Sequence, residues 1–327
     1  MTILVTGSSG HLGEALMRTL REAGRAAVGL DIVPGAFTDA LGSIADRRLV
    51  ARSLTGVRSV LHAATLHKPH VGTHARQEFV ETNVLGTLVL LEEAARAGVR
   101  SFVMTSTTSA FGDALKPPPG EPAAWIDESV APVPKNIYGV TKTAAEDLCR
   151  LFRRNEGLAC VILRTSRFFP EEDDDPQARA AFADANLKAN ELLYRRVAIE
   201  DVVEAHVLAI ERATSIGFGT YVVSATTPFR REDAARLRMD AAAVARERVA
   251  GWEGEYARRG WRMAERIDRV YDNARARSEL GWQPKWNFAA VVERLRQTGD
   301  FRGPLAKAVG EKGYHPERSH GRRYPER

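Results

Sequence analysis

The stretch "YGVTK" places Tyr138 four residues before Lys142. At helical spacing the two share one face. A free phenol ionises near pH ~10, too high to exchange protons readily at neutral pH. A neighbouring ammonium stabilises phenolate, so the spacing predicts a lowered tyrosine pKa. A tyrosine tuned in this way can take a proton from an alcohol while hydride leaves the carbinol carbon. A second group of residues suits the dinucleotide that such chemistry requires. "VTGSSGHLGEAL" sets Gly7, Gly10 and Gly13 at a strand-to-helix junction, with His11 and Leu12 among them. Glycines there permit a tight turn, bring a pyrophosphate close to the backbone, and let helix and strand pack together. The helix start adds free N–H groups and the positive end of its dipole.

Asp31 ends the next predicted strand, followed by Ile32. A carboxylate there accepts bonds from adenosine ribose hydroxyls and repels a 2′-phosphate. No arginine directly follows in "DIVPGAF", so NAD is expected rather than NADP.

These residues need elements to hold them. "TILVT" (2–6), "AAVGLD" (26–31), "SVLHAA" (59–64), "SFVMTS" (101–106) and "LACVILR" (158–164) read as strands. Residues 12–24, 74–97 and 138–156 read as helices between them. This alternation predicts an α/β, Rossmann-like, doubly wound parallel sheet over residues 1–165, with right-handed crossovers. After Arg164 comes the acidic, aperiodic "FFPEEDDDPQ". "RRVAIEDVVEAHVLAIERA" then reads as a strand and a helix returning to the sheet over 196–213. "TYVVSA" reads as a further strand, 231–261 as helical, and "NFAAVVERLRQTGD" as a last helix. Residues 166–195 and 214–300 are expected to form a smaller substrate lobe, and 301–327 a basic tail, mobile or lightly docked. There is no internal repeat.

Charge and composition narrow the class. The 44% hydrophobic and 27% charged fractions are those of a globular domain. The net charge of +5 suits anionic ligands such as nucleotides, but the arginines are spread over helices and no nucleic-acid motif is present. No apolar run approaches the ~20 residues of a membrane span, so no membrane contact is expected. The N-terminus runs at once into a strand, so no signal peptide is expected and a cytoplasmic location is. Cys149 and Cys160 are expected to be reduced core thiols, and no metal is expected.

In this order, the glycine motif, "HAA", "TNVLGT", "STTSAFG", "YGVTK", "VAIEDVVEAH" and "ARSELGWQP" resemble an extended short-chain dehydrogenase/reductase of the NAD-dependent epimerase/dehydratase family. The resemblance spans about residues 1–300. It implies Tyr138 and Lys142 as catalytic residues and Thr107 as a third, whose hydroxyl orients the substrate oxygen. Thr105, Ser106 and Ser109 are the neighbouring alternatives. It implies cofactor contacts from Ala63, Ala64, Thr65, Asn83 and Thr105, and from Ser43 and Ile44, where Ser43 replaces the family's adenine-binding aspartate. It places His67, Lys68 and Arg167 on the substrate side, Arg167 either binding a carboxylate or phosphate or pairing with the acidic loop 171–175. A homodimer is implied as well. The family's dehydratases carry Asp-Glu after the catalytic threonine; Thr108 and Ser109 stand here, which disfavours dehydration. The segment from Arg164 to Arg196 is short for gripping a nucleotide-sugar. The leading expectation is hydride transfer from a secondary hydroxyl of a sugar-like substrate. A nucleotide-sugar 4-epimerase is the enzymatic alternative, and an NAD-binding sensor or scaffold the non-enzymatic one.

Overall fold

Seven short, mostly apolar segments pair side by side in a parallel sheet. A computed structural model describes residues 2–173 and 175–313. The strands are β1 (Thr2–Thr6), β2 (Ala27–Asp31), β3 (Ala40–Leu41), β4 (Val57–His62), β5 (Ser101–Thr107), β7 (Ala159–Thr165) and β8 (Phe218–Val223), in spatial order β3-β2-β1-β4-β5-β7-β8. β6 (Ala124–Ile126) and β9 (Arg269–Tyr271) form a separate parallel pair. Ile3, Leu4 and Val5 of β1 are fully buried, as are Val161, Ile162 and Leu163 of β7. Burial on both faces is what helices on both sides of a parallel sheet produce.

One layer holds α1 (His11–Glu22) and α8 (Ile199–Ile216), whose Leu16, Leu20, Val202 and Ala209 share a core with Val5 and Val161. On the other side, α2 (Arg47–Ser53), α4 (Gly86–Arg96) and α5 (Ile137–Glu156) pack Val50, Leu90 and Cys149 against Leu4, Phe102 and Ile162. Strand order reverses between β1 and β4, which opens a crevice at the carboxyl edge of the sheet. Cys149 and Cys160 are both buried and free. Among the described residues no helix is long and apolar enough to cross a membrane.

Several boundaries differ from the sequence reading. The helix expected over 74–97 is α3 (Arg76–Phe79) and α4 joined by a π-helical stretch at Val80–Leu85. The strand expected at "RRVAI" reduces to one bridge between Arg167 and Arg196, because the charged pair of arginines at 195–196 turns to buried carboxylates instead of a ladder. The stretch returning to the sheet does not stop at 213. β8 pairs with β7 from Cys160 to Thr165, its Tyr221, Val222 and Val223 fully buried, so part of 214–300 belongs to the sheet domain. The helical stretch 231–261 breaks into α9 (Ala234–Leu237), α10 (Ala241–Arg248) and α11 (Trp252–Arg259), with Gly251 at φ 77° between the last two.

The lobe has its own core, in which Trp252, Tyr256, Phe288 and Leu237 pack with Leu193 and Ile267. It is pinned to the sheet domain by Asp201, whose carboxylate accepts both Lys285 N and Trp286 N at 2.9 Å. Of the expected basic tail, residues 301–313 are described and include α14 (Pro304–Val309), while 314–327 lie outside the described residues. The described part is docked: Val309 is buried in the core shared by α1 and α8.

Candidate active site

Two cavities meet at the carboxyl edge of the sheet. The larger, about 690 Å³, runs over β1, β2 and the start of α1. Its floor is the glycine turn. Gly7 sits at φ 73°, and a Cβ there would lie 2.7 Å from the amide nitrogen of Ala64. A Cβ on Gly13 would lie 1.8 Å from the carbonyl oxygen of Gly7, so only glycine lets α1 start this close to β1. Asp31 closes the loop above: Oδ2 accepts Ser9 N at 2.8 Å and Oδ1 accepts Val33 N at 2.9 Å. Each oxygen keeps acceptor capacity for a hydroxyl. Gly7, Gly10, His11, Leu12, Gly13, Asp31, Ile32, Ser43, Ile44, Ala63, Ala64, Thr65 and Thr105 all line this cleft. Ser43 also turns inward locally, its Oγ accepting Ala45 N at 3.1 Å.

Buried polar residues hold the cleft wall in place. His62 lies between Thr6 Oγ1 at 2.8 Å and Thr87 Oγ1 at 2.9 Å, and Thr6 Oγ1 also accepts Ala64 N. Burial, and secondarily the charge of Lys142, push the His62 pKa down to about 3, so the ring is neutral. His206 Nδ1 donates to Val202 O at 2.8 Å, which leaves Nε2 to accept the hydroxyl of Thr105 at 2.8 Å. Burial lowers its pKa to about 4. Asn83 does not line the cleft. From the π-helical stretch its Oδ1 accepts Thr65 Oγ1 and Leu66 N, while Nδ2 donates to Leu66 O and Thr141 Oγ1. It ties the cleft wall to α5 between Tyr138 and Lys142.

Two glycines bring Tyr138 to the end of β5. Gly112, at φ 53°, packs so tightly that a Cβ would meet Val133 O at 1.8 Å. Gly139 lets α5 start against Ser109, and Asn136 caps that helix by accepting Gly139 N at 2.9 Å. Tyr138 then lies within hydrogen-bonding reach of Thr107, whose Oγ1 accepts Ser109 N at 3.0 Å. Ser106, by contrast, donates to Glu146 at 2.5 Å, and Glu146 also takes a two-pronged bond from Arg164. Phe111 lies under the Arg164 guanidinium at 5.0 Å. The tyrosine pKa moves opposite to the sequence expectation. Burial pushes it up to about 12, only partly offset by the bond from Thr107. Burial also lowers Lys142 to about 8, against the pull of Glu146. Burial of the phenol and the Thr107 bond account for the Tyr138 shift, and Lys142 lines neither cavity.

The smaller cavity, about 190 Å³, opens on the other side of Tyr138. His67, Lys68, Thr107 and Arg167, the residues expected on the substrate side, line it together with Ser109, and His67 also lines the larger cleft. Arg167 is paired with Asp173 of the acidic loop and, at 3.4 Å, with Glu191. Glu191 is fully buried and also binds Arg195 at 2.6 Å and Arg196 at 2.8 Å. Burial opposes its ionisation, yet these three guanidinium groups hold it well below the usual carboxylate range.

Other site residues escaped the sequence reading. Thr82, Thr165, Phe168 and Phe169 line the cleft with no motif to mark them. Lys312 and Gly313 line it too, from the far end of the chain. Their backbone N–H groups reach Glu171 Oε1 at 2.9 and 3.2 Å, the same oxygen that lies 2.7 Å from His11 Nε2. Lys312 Nζ is paired with Glu14. The excess of basic residues near the C-terminus was the one available signal. Cradle, volume and carboxylate together fit a dinucleotide.

Comparison with known proteins gives the same answer. Residues 3–224 match the model of the NAD dependent epimerase/dehydratase family. A UDP-glucose 4-epimerase of Halalkalibacterium halodurans is 32% identical over 190 residues, covering 55% of this chain and 53% of that protein. Two further curated relatives are matched over only 40% and 45% of their length. A UDP-glucose 4-epimerase of Rhizobium meliloti is 26% identical over 89% of this chain and 94% of its own. A short-chain dehydrogenase/reductase superfamily protein from Agrobacterium tumefaciens, crystallised with bound NAD, superposes with a TM-score of 0.63 at 25% identity, over 91% of this chain and 99% of that one. With its parallel sheet, glycine cradle and tyrosine–lysine helix, this chain belongs to the NAD dependent epimerase/dehydratase family.

Proposed function

We propose that the protein moves hydride between NAD and a secondary hydroxyl of a sugar or sugar-like substrate, with Tyr138 as acid and base. The observation that carries this reading is the position of Tyr138: its side chain lines the dinucleotide cleft and the smaller cavity at once. NAD, when bound, supplies the hydride acceptor and a positively charged ring. Gly7, Gly10 and the first turn of α1 hold the dinucleotide, and Asp31 holds its ribose. Thr107 Oγ1 accepts Ser109 N with one of its two lone pairs, and its O–H can donate towards Tyr138 or a substrate oxygen. Lys142 provides positive potential one turn below. Ser109 and Thr108 offer no carboxylate for elimination, which argues against dehydration.

Nucleotide-sugar 4-epimerisation is the second reading, favoured by the names of the relatives above. The small volume beside Tyr138 speaks for a compact substrate instead. Replacing Tyr138 by phenylalanine tests the reading. Turnover of NAD with a sugar panel should fall about 10²–10⁴-fold while NAD affinity is kept. Unchanged turnover refutes the assignment. Tightly retained NAD⁺ in the purified protein, with no need of added cofactor, would favour epimerisation over net oxidation.

A further inference from the structure

The cavity on the substrate side of Tyr138 carries charge and unmet bonding capacity in the same place. Lys68, Lys135, Arg167, Arg195, Arg196 and Arg269 line it. Arg167, Arg195 and Arg196 share Glu191, the first two also face Asp173, and Lys68 and the lining Glu172 have interactions of their own. Glu171 turns Oε1 to His11 and to the backbone of Lys312 and Gly313, while its Oε2 is buried without a partner. Arg269 is different. It enters no ion pair or side-chain hydrogen bond among the described residues, and its Nε is buried without a partner. Lys135 lies close enough to Lys68 and Arg269 that their charges, after burial and Lys116, depress its pKa, against the pull of Asp113. Beside them, Ser166 is 3% exposed, lines the same cavity, and its Oγ has no hydrogen-bond partner.

A buried hydroxyl and a buried guanidinium N–H left unbonded are costly unless a ligand completes them. A planar fork of N–H donors matches an oxyanion. The volume, about 190 Å³, lies below the ~300–1,000 Å³ of sites for drug-sized ligands, so the occupant is compact. We infer that the substrate is a small anionic sugar derivative, whose carboxylate or phosphate is held by Arg269 with Lys135 and Ser166 while its reacting hydroxyl faces Tyr138. This rests on the reading of Tyr138 given above. Arg269 belongs to β9 and Lys135 to the turn before α5, so the anion would also bridge the lobe to the sheet domain.

The test is calorimetric binding to NAD⁺-saturated protein, which keeps the pyrophosphate site filled. The probes are glucuronate, glucose 6-phosphate and glucose. At least one anion should bind roughly tenfold or more tightly than glucose, in wild type and in Tyr138→Phe. Glucuronate preference identifies a carboxylate substrate, and glucose 6-phosphate preference a phosphate ester. Arg269→Gln should bring the preferred anion to the level of glucose and leave NAD⁺ binding unchanged, with Arg269→Lys intermediate. Lys135→Gln, at an exposed position, gives the same direction should Arg269→Gln lower the melting temperature. Equal binding of glucose, absence of binding by all three probes, or a preference that survives Arg269→Gln overturns the inference. Turnover of neutral sugars with no charge preference sinks this inference alone. An anion preference without any sugar oxidation sinks the redox reading alone.

Discussion

The dinucleotide cleft and the substrate-side cavity share Tyr138 but are built by different means. The cleft is made of backbone. Its glycines, the Asp31 carboxylate and the Thr6–His62–Thr87 chain meet their partners within the protein, so it is complete before any ligand arrives. The cavity beside it is made of residues brought from 67–69, 107–112, 135, 166–172, 195–196 and 269–271, and it retains unmet polar atoms at Ser166, Glu171, Arg195 and Arg269. A site of the first kind binds one cofactor in one pose. A site of the second kind depends on its ligand for completion, and its specificity can change without disturbing the sheet.

The contrast can be broken most forcefully at Gly13. Gly13→Val pushes a branched side chain into the Gly7 carbonyl, where even a Cβ would lie at 1.8 Å. NAD affinity should fall at least ~100-fold, with a lower melting temperature, because the α1–β1 approach is lost. Near-normal NAD binding by calorimetry would show that the cradle is not a rigid backbone device. Next comes Glu191→Gln, on the cavity side. It removes the carboxylate shared by three guanidinium groups and should cost about 3–5 kcal/mol in denaturant unfolding. A loss below ~1 kcal/mol would mean that the cavity is less dependent on its charges than the cleft is on its backbone.

The smallest effect sharpens the cleft side. His206 has a folded pKa of about 4, below its ordinary 6.5. Between those values the unfolded chain binds more protons, so stability rises with pH. The contribution of neutral His206 is therefore complete above pH 6.5 and lost as pH falls towards 4. His206→Gln, which keeps polar atoms beside Thr105, should flatten that acid limb by on the order of 2 kcal/mol. Parallel limbs in wild type and variant would remove His206 from the acid response.

Legibility in the sequence followed the same division. The Gly7–Gly13 turn, Asp31 and the Tyr138–Lys142 spacing were readable because each depends on residues within a few positions of one another. Lys135, Ser166 and Arg269 of the smaller cavity were not, because only the sheet order and the lobe bring those stretches together. Arg167 was foreseen with two roles, and the geometry gives it the acidic-loop partner. The direction of the Tyr138 shift was misread for a different reason. Spacing reveals a nearby ammonium, but burial is a property of the whole fold, and here it governs both the phenol and the amine. Asn83 was marked for the cofactor or an ordering network, and a π-helical stretch, unreadable from periodicity, turns it to a network with Thr65 and Thr141.

The bonds from Lys312 and Gly313 to Glu171, and the pairing of Lys312 with Glu14, join the first helix to nearly the last described residue. Such sequence-distant closure is slow to form in a folding chain. During synthesis the sheet strands emerge early, but the nucleotide crevice keeps one side open until the ribosome has released some three hundred residues. A nascent chain that already carries Thr107, Tyr138 and Lys142 thus still has an unfinished crevice.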